Sequence, residues 1–358
     1  MNKDIIYLLS CAVNEKQPDK NIVTHMNLEQ VYSFASKHMI TAIVAAALEA
    51  AGYKNECSSR AIAGSLRKIT LFEKEKKALF NRLEEAEIWY MPLKGAVLKD
   101  YYPKAFMREM SDYDILFDAS RAKDVEKIMQ NLNFSADSLR VQNEDVYHKP
   151  PFVIFEMHRA LFGVRHGNTI NNYYKNVKQR LLKDVDNNFG FHFMPEDFYI
   201  YMTAHEYSHY STAGTGLRSL ADTYIYLQRY ELNWNYIDNE TEKLGISDFE
   251  QKNRQLSLSL FNGETLSSTN KNMLEYIIFS GAYGTAENYI KNDMTEIGRW
   301  KYFLKRLTLP YSQMLEEYPI LQKAPILYPF CWLSRLVIRG LFLRRNRLRY
   351  QLRAIFKR

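Results

Sequence analysis

Residues 91–117 read MPLKGAVLKDYYPKAFMREMSDYDILF, and the end of this stretch decides the fold. Asp112 and Asp114 stand one residue apart and run directly into Ile115, Leu116 and Phe117, an apolar run of strand type. Side chains of a strand alternate between faces, so the two aspartates point to the same side. Like charges held this close repel one another, and burial strengthens the repulsion. Something positive must offset the pair. Bound divalent cations would do so, since hard carboxylate oxygens suit Mg2+ or Mn2+. A bare Asp-x-Asp is common, however, and a surface or capping role explains it better than catalysis when it is taken alone.

Around the pair, short elements of alternating kind appear. Ile88-Trp89-Tyr90-Met91 is β-prone and ends at Pro92, and Leu93-Lys94-Gly95 then opens a helical pattern from Ala96 to Tyr101. Tyr113 to Phe117 reads as a second strand, and Ser120 as the cap of a helix from Arg121 to Leu132. FVIFEMH, Phe152 to His158, reads as a third strand after the turn signal Lys149-Pro150-Pro151. Strand, helix, strand, helix and strand make a small α/β unit.

The flanks read as helices. Apolar residues recur at three- and four-residue spacing over Leu28–Lys37 and Ile40–Ala51. A longer pattern runs from Ser58 to Glu87, with Ser58-Ser59 as its N-cap, Leu66, Ile69, Leu71, Phe72, Leu79 and Leu83 as its apolar stripe, and EKEKK at 73–77 as a solvated face. Pro195 suits a first helical position, with Glu196 and Asp197 favouring the dipole of the opening turn. Further helical patterns follow at Leu217–Tyr230, Trp234–Leu244, Phe249–Phe261 and Asn270–Tyr283. The fold expected is α+β: a short mixed sheet with helices in a core at 88–190, embedded between a helical region at 1–87 and a helical domain with a basic tail at 191–358.

Charge is unevenly spread. The net charge is +7, and residues 344–358 carry seven Lys and Arg without an acid, so the rest of the chain balances to zero. A nucleic-acid-binding body is therefore not implied, whereas a basic tail is. Leu333, Leu336, Val337, Leu341, Leu348, Leu352 and Ile355 give that end an apolar face. A basic amphipathic helix of this kind can lie on an anionic membrane surface, bind RNA, dock on a partner or pack on its own domain. Arg335 and Arg339 near the centre of Ile326–Leu343 argue against a transmembrane segment there, since a spanning helix would bury both charges. The N-terminus lacks a basic region, a sustained apolar run and a cleavage site, and Cys11, Cys57 and Cys331 lie far apart. A cytoplasmic location with reduced thiols is expected.

Several residues join the acidic pair as a candidate site. Lys94-Gly95 opens a helix, where backbone N–H groups attract phosphate; Gly95 allows close approach and Lys94 adds a point charge. Arg108 lies four residues before Asp112 and can hold a phosphate bidentately. Glu156 and His158 share a strand face, and Glu156 offers a third carboxylate. Singly, these are a glycine turn, a surface arginine and a glutamate at a strand end.

The run LKG, LKDYYP, MREMSDYDILF and then FEMHRAL, spanning Leu93 to His158 in its key positions, resembles the nucleotidyltransferases of the polymerase-β-like superfamily, and most of all a bacterial group within it. The segment Leu217-Arg218-Ser219-Leu220-Ala221-Asp222 and a His-bearing helix resemble that group more loosely. The resemblance implies a minimal polymerase-β-like core in which Asp112, Asp114 and Glu156 hold metal and Lys94 and Gly95 cradle the triphosphate. Two departures stand out. Ala96 replaces the serine usual in the turn, and the third carboxylate is Glu rather than Asp.

A competing motif lies downstream. His205-Glu206-Tyr207-Ser208-His209 matches HExxH on a helical pattern, a spacing that can bind zinc with Glu as general base. Its extensions fail: Thr212 and Thr215 stand where the long form needs Gly and His, and Lys243 stands where a second helix would need its ligand. His205 and His209 read better as residues lining a cleft beside the core or packing among helices. Arg218 meets a phosphate or pairs with Asp222 across one helical turn.

The leading expectation is a metal-dependent nucleotidyltransferase. A nucleoside triphosphate is bound by Lys94, Gly95 and Arg108, and two Mg2+ or Mn2+ ions on Asp112, Asp114 and Glu156 support in-line attack by an acceptor hydroxyl. His158, His205, His209 and Arg218 line the substrate cleft. The acceptor stays open among small molecule, sugar, protein and RNA. The second reading is an inactive member of the same fold that binds nucleotide or a partner, and the third is a zinc hydrolase.

Overall fold

Five helices lead into the sheet: α1 (Asn2–Val13), α2 (Lys20–Thr24), α3 (Leu28–Lys37), α4 (Thr41–Ala50) and the thirty-residue α5 (Glu56–Glu85). The computed structural model describes residues 2–140, 143–163 and 167–298, and beyond them 301, 311, 314–315, 318–322 and 324–335. The cap of α5 is Asn55, whose side chain accepts from the Ser58 N–H at 2.8 Å, while the Ser58 hydroxyl accepts from the Asn55 N–H at 3.1 Å. Ser58 thus closes a reciprocal capping box from inside the helix, and the cap expected at Ser58-Ser59 moves to Asn55.

The core follows as β1 (Tyr90–Pro92), the single helical turn α6 (Gly95–Leu98), β2 (Tyr113–Phe117), α7 (Ala122–Asn131), β3 (Ser135–Ser138), β4 (Glu144–Lys149) and β5 (Val153–His158). These strands form one mixed sheet in the order β1-β2-β5-β4-β3, in which β2 and β5 are parallel and the other pairs antiparallel. The fold is α+β, a small mixed sheet amid helices. Ser120 does not cap α7; the Asp118 carboxylate accepts from both the N–H and the hydroxyl of Ser120 and closes the turn before the helix.

Period-two alternation divides the sheet into two faces. Tyr113, Ile115, Phe117, Phe155 and Met157 pack against Phe72, Leu79 and Leu83 of α5 and Val125 and Met129 of α7. Leu66, expected on the same stripe of α5, is exposed. Within EKEKK the solvated face also gives way: Glu75 is buried and pairs with Lys149 at 2.7 Å, and Glu73 pairs with Lys99 at 3.0 Å. The sheet brings Lys149 to α5, and sequence spacing along one helix cannot register that.

After β5 come α8 (Asn168–Tyr173), the hairpin of β6 (Leu181–Lys183) and β7 (Phe191–Phe193), and then α9 (Pro195–Thr212), α10 (Leu217–Arg229), α11 (Trp234–Leu244), α12 (Ser247–Asn262), α13 (Ser268–Ser280) and α14 (Ala286–Ile297). Leu93, Leu98 and Leu116 on the second side of the core join Phe198, Tyr201 and Tyr226 of the following helices. The chain divides into two compact units, one of residues 1–208 with 215–282 and the other of residues 209–214 with 283–358. In the second, Thr285 caps α14 and its N–H donates to the Ala213 carbonyl at 2.9 Å. Among the described residues no helix is long and apolar enough to cross a membrane. Ile326, Phe330 and Leu333 are exposed, and the basic stretch 344–358 lies outside the described residues.

His38 ties the N-terminal helices to α10. Its Nδ1 accepts from the Leu217 N–H at 3.1 Å, so the ring is neutral with its proton on Nε2. Burial pushes the imidazole down to about 4, against a hydrogen bond with the Ile278 backbone that raises it. The unfolded chain takes up that proton near the ordinary value of 6.5, so stability is full above 6.5 and falls as pH drops toward 4. Denaturant titrations between pH 7 and 4 are expected to show wild type losing up to about 3 kcal/mol more than His38→Gln over this window. Parallel losses in the two proteins would remove His38 as the cause.

Candidate active site

Register sets the site. The parallel pairing of β2 and β5 places Asp114 beside Glu156 and Leu116 beside His158. Antiparallel pairing of β4 with β5 places Glu144 beside His158. The sheet face opposite α5 therefore carries Asp114, Glu156, His158 and Glu144 as neighbours. Ligand atoms of Asp114, Glu156 and His158 all lie within 4.8 Å of one another, which makes them the one three-residue group of metal-ligating type among the described residues.

Asp114 is the centre. Its Oδ1 accepts from Lys94 Nζ at 3.1 Å and lies 2.9 Å from His158 Nε2. Burial pushes this carboxyl up, but the Lys94 ammonium and the His158 hydrogen bond outweigh it and hold Asp114 well below the usual carboxylate range. Asp112 goes the other way, raised by burial and then by Asp114, although Ser111 Oγ donates to its Oδ2 at 3.0 Å. Glu156 is pushed up to about 8, first by burial and then by the charges of Asp114 and Asp112. Three carboxylates thus share more negative charge than Lys94 relieves.

Lys94 sits where β1 turns into α6, with φ +42° and ψ −115°, a backbone conformation rare for a side-chain-bearing residue. The turn is held by the Leu93 N–H on the Asp114 carbonyl at 3.0 Å and by the Ala96 N–H on the Leu93 carbonyl at 3.0 Å. The amide of Ala96 is therefore spent inside the turn.

A family model described as uncharacterised nucleotidyltransferase matches residues 24–262, which include every residue of this cluster. The chain belongs to that nucleotidyltransferase family. No curated protein and no solved structure matches it.

The donor set of this family member fits a divalent cation. Carboxylates pushed upward by burial and then by their neighbours' charge are relieved by a bound cation, and carboxylate oxygens with one imidazole are donors of metal-ligating type. His158 Nδ1 is buried without a hydrogen-bond partner, 3.5 Å from Glu144 Oε2, the sort of carboxylate that orients a ligating imidazole. Tyr201 of α9 also lies within the field of Asp114, Glu144 and Glu156, and its buried hydroxyl has no partner. No residue pattern marks Glu144 or Tyr201. Glu144 lies on a strand that has no apolar run, and Tyr201 is one of many aromatics on a helix.

The remaining expected residues are placed as follows. Arg108 is buried and its Nε and Nη2 both donate to Asp222, each at 2.8 Å. Gly95 lies against it: a Cβ built there would overlap Nη1 and stand 3.1 Å from Cζ. Gly95→Ala is accordingly expected to cost about 1–3 kcal/mol and to displace the guanidinium, visible as lowered urea resistance and weakened nucleotide binding. Arg218 donates Nη1 to the Glu109 carbonyl at 2.8 Å, and the i,i+4 pairing with Asp222 gives way because both Asp222 oxygens serve Arg108 and Tyr102. His205 acts on the charge of Asp114 from α9. His209 is exposed in the last turn of that helix.

The HExxH reading fails on geometry. Glu206, its general base, is buried and accepts from Asn253 Nδ2 at 2.9 Å. Among the described residues no third ligand joins His205 and His209.

Proposed function

We propose that the protein transfers a nucleoside monophosphate from a nucleoside triphosphate to an acceptor hydroxyl, in a reaction dependent on Mg2+ or Mn2+. The observation that carries this is the register of β2 with β5, which sets Asp114 beside Glu156 and within reach of His158 in a chain of nucleotidyltransferase family. Asp112, Asp114 and Glu156 would hold the cations, with His158 oriented by Glu144. Bound divalent cations would neutralise the phosphates and favour in-line displacement. Lys94 in its strained turn would leave Asp114 for a phosphate oxygen, and Arg108 would meet the phosphates beside Gly95. His205, Tyr201 and Arg218 would line the acceptor side. The division into helical region, core at 88–190 and helical domain belongs to this proposal, as does a place for the chemistry in the cytoplasm.

A second reading is a nucleotide-binding member without transfer activity. Two observations favour it: Ala96 leaves the turn without a hydroxyl, and Lys94 already satisfies Asp114 Oδ1. Incubation with cell extract and triphosphates labelled at the α- or γ-phosphate separates the two. The proposal predicts metal-dependent transfer of the α-label and none of the γ-label. Tight nucleotide binding with neither label transferred supports the second reading instead.

A further inference from the structure

One carboxylate joins Tyr101-Tyr102-Pro103 to the segment that ends in Asp222. Asp222 lies on α10, more than a hundred residues beyond Arg108, and is buried. Its Oδ1 accepts from Arg108 Nε at 2.8 Å and from the Tyr102 hydroxyl at 2.7 Å, and its Oδ2 accepts from Arg108 Nη2 at 2.8 Å. The fork-to-fork pairing fixes both the plane and the rotation of the guanidinium. Its third nitrogen, Nη1, is left against Gly95 in the Lys94 turn.

Asp112 acts on the same guanidinium more weakly than Asp222 does, and an arginine drawn to Asp112 would compete with a cation for that carboxylate. A fixed acid on the far side of Arg108 removes the competition. We propose that Asp222 is a positioning residue for triphosphate recognition: with Tyr102 it holds Arg108 away from the acidic cluster, with Nη1 presented at the Lys94–Gly95 turn. The inference rests on the nucleotidyl-transfer reading and extends its site into the helical region. The phosphate-binding arginine belongs to the core, and its orientation belongs to α10.

The test is a double-mutant cycle on the full chain. Non-hydrolysable α,β-methylene analogues of ATP, GTP, CTP and UTP are titrated separately with Mg2+, and the tightest is taken forward. Asp222→Asn is expected to weaken its binding about tenfold, and to weaken it no further in an Arg108→Gln background. Tyr102→Phe removes one hydroxyl and is expected to weaken binding about threefold, again only where Arg108 is present. This variant carries the test should Asp222→Asn not fold. Equal losses in both backgrounds would show that Asp222 acts independently of Arg108 and overturn the inference, as would wild-type affinity in Asp222→Asn. Failure of wild type to bind any of the analogues would overturn the nucleotidyl-transfer reading as well.

Discussion

Asp114→Asn is expected to lower metal-dependent transfer of the α-label by about a thousandfold or more. The substitution keeps the shape of the side chain and a carbonyl oxygen able to accept from Lys94, so the turn between β1 and α6 keeps its partner. It removes the charge that Lys94 and His158 hold in its ionised form, and with it the central donor of the cluster. Lys94 is then left without its closest counter-charge, at a cost of about 1–3 kcal/mol that urea titration would register separately from activity. The matching substitution Glu156→Gln is expected to act in the same direction. Transfer by Asp114→Asn within tenfold of wild type would remove Asp114 from the chemistry.

Phe155→Ala is expected to destabilise the protein by about 3–5 kcal/mol. Phe155 is fully buried on the face of β5 opposite the site, with ring centroids 5.2 Å from Phe134, 5.5 Å from Tyr113 and 6.2 Å from Phe72. Nothing nearby can fill the space it leaves, because the surrounding rings come from β2, α5 and the turn between α7 and β3. The effect should reach the site, since the next residue is Glu156 and the same strand pairing carries both. Urea titration measures it; a loss below about 1 kcal/mol would mean that the sheet and α5 are not packed as described.

Much of the site was legible because its signals are local. Two aspartates one residue apart ahead of an apolar run, and Glu-x-His in a second run, each place their side chains on one face through the period of the strand alone. Which strands lie side by side is not local, so Glu144 entered only with the register of β4 against β5. β3 was invisible because Ser-Ala-Asp-Ser is a polar, largely exposed edge strand without alternation. Asp222 is the instructive error. Helical spacing offered Arg218 as its partner four residues away, whereas the fold supplies Arg108 from the core, where a planar fork meets both oxygens at once. The repulsion between Asp112 and Asp114 likewise finds part of its answer in Lys94, twenty residues earlier, through a turn whose backbone conformation no residue pattern announces.

Mn2+ binding to the purified full-length protein, followed by calorimetry and by the paramagnetic signal of the ion, tests the central claim most directly because it needs neither acceptor nor nucleotide. The account predicts saturable binding by wild type, lost in Asp114→Asn and in Glu156→Gln, with nitrogen coupling to the ion that disappears in His158→Gln. Binding that is absent from wild type, or unchanged in all three variants, would contradict it.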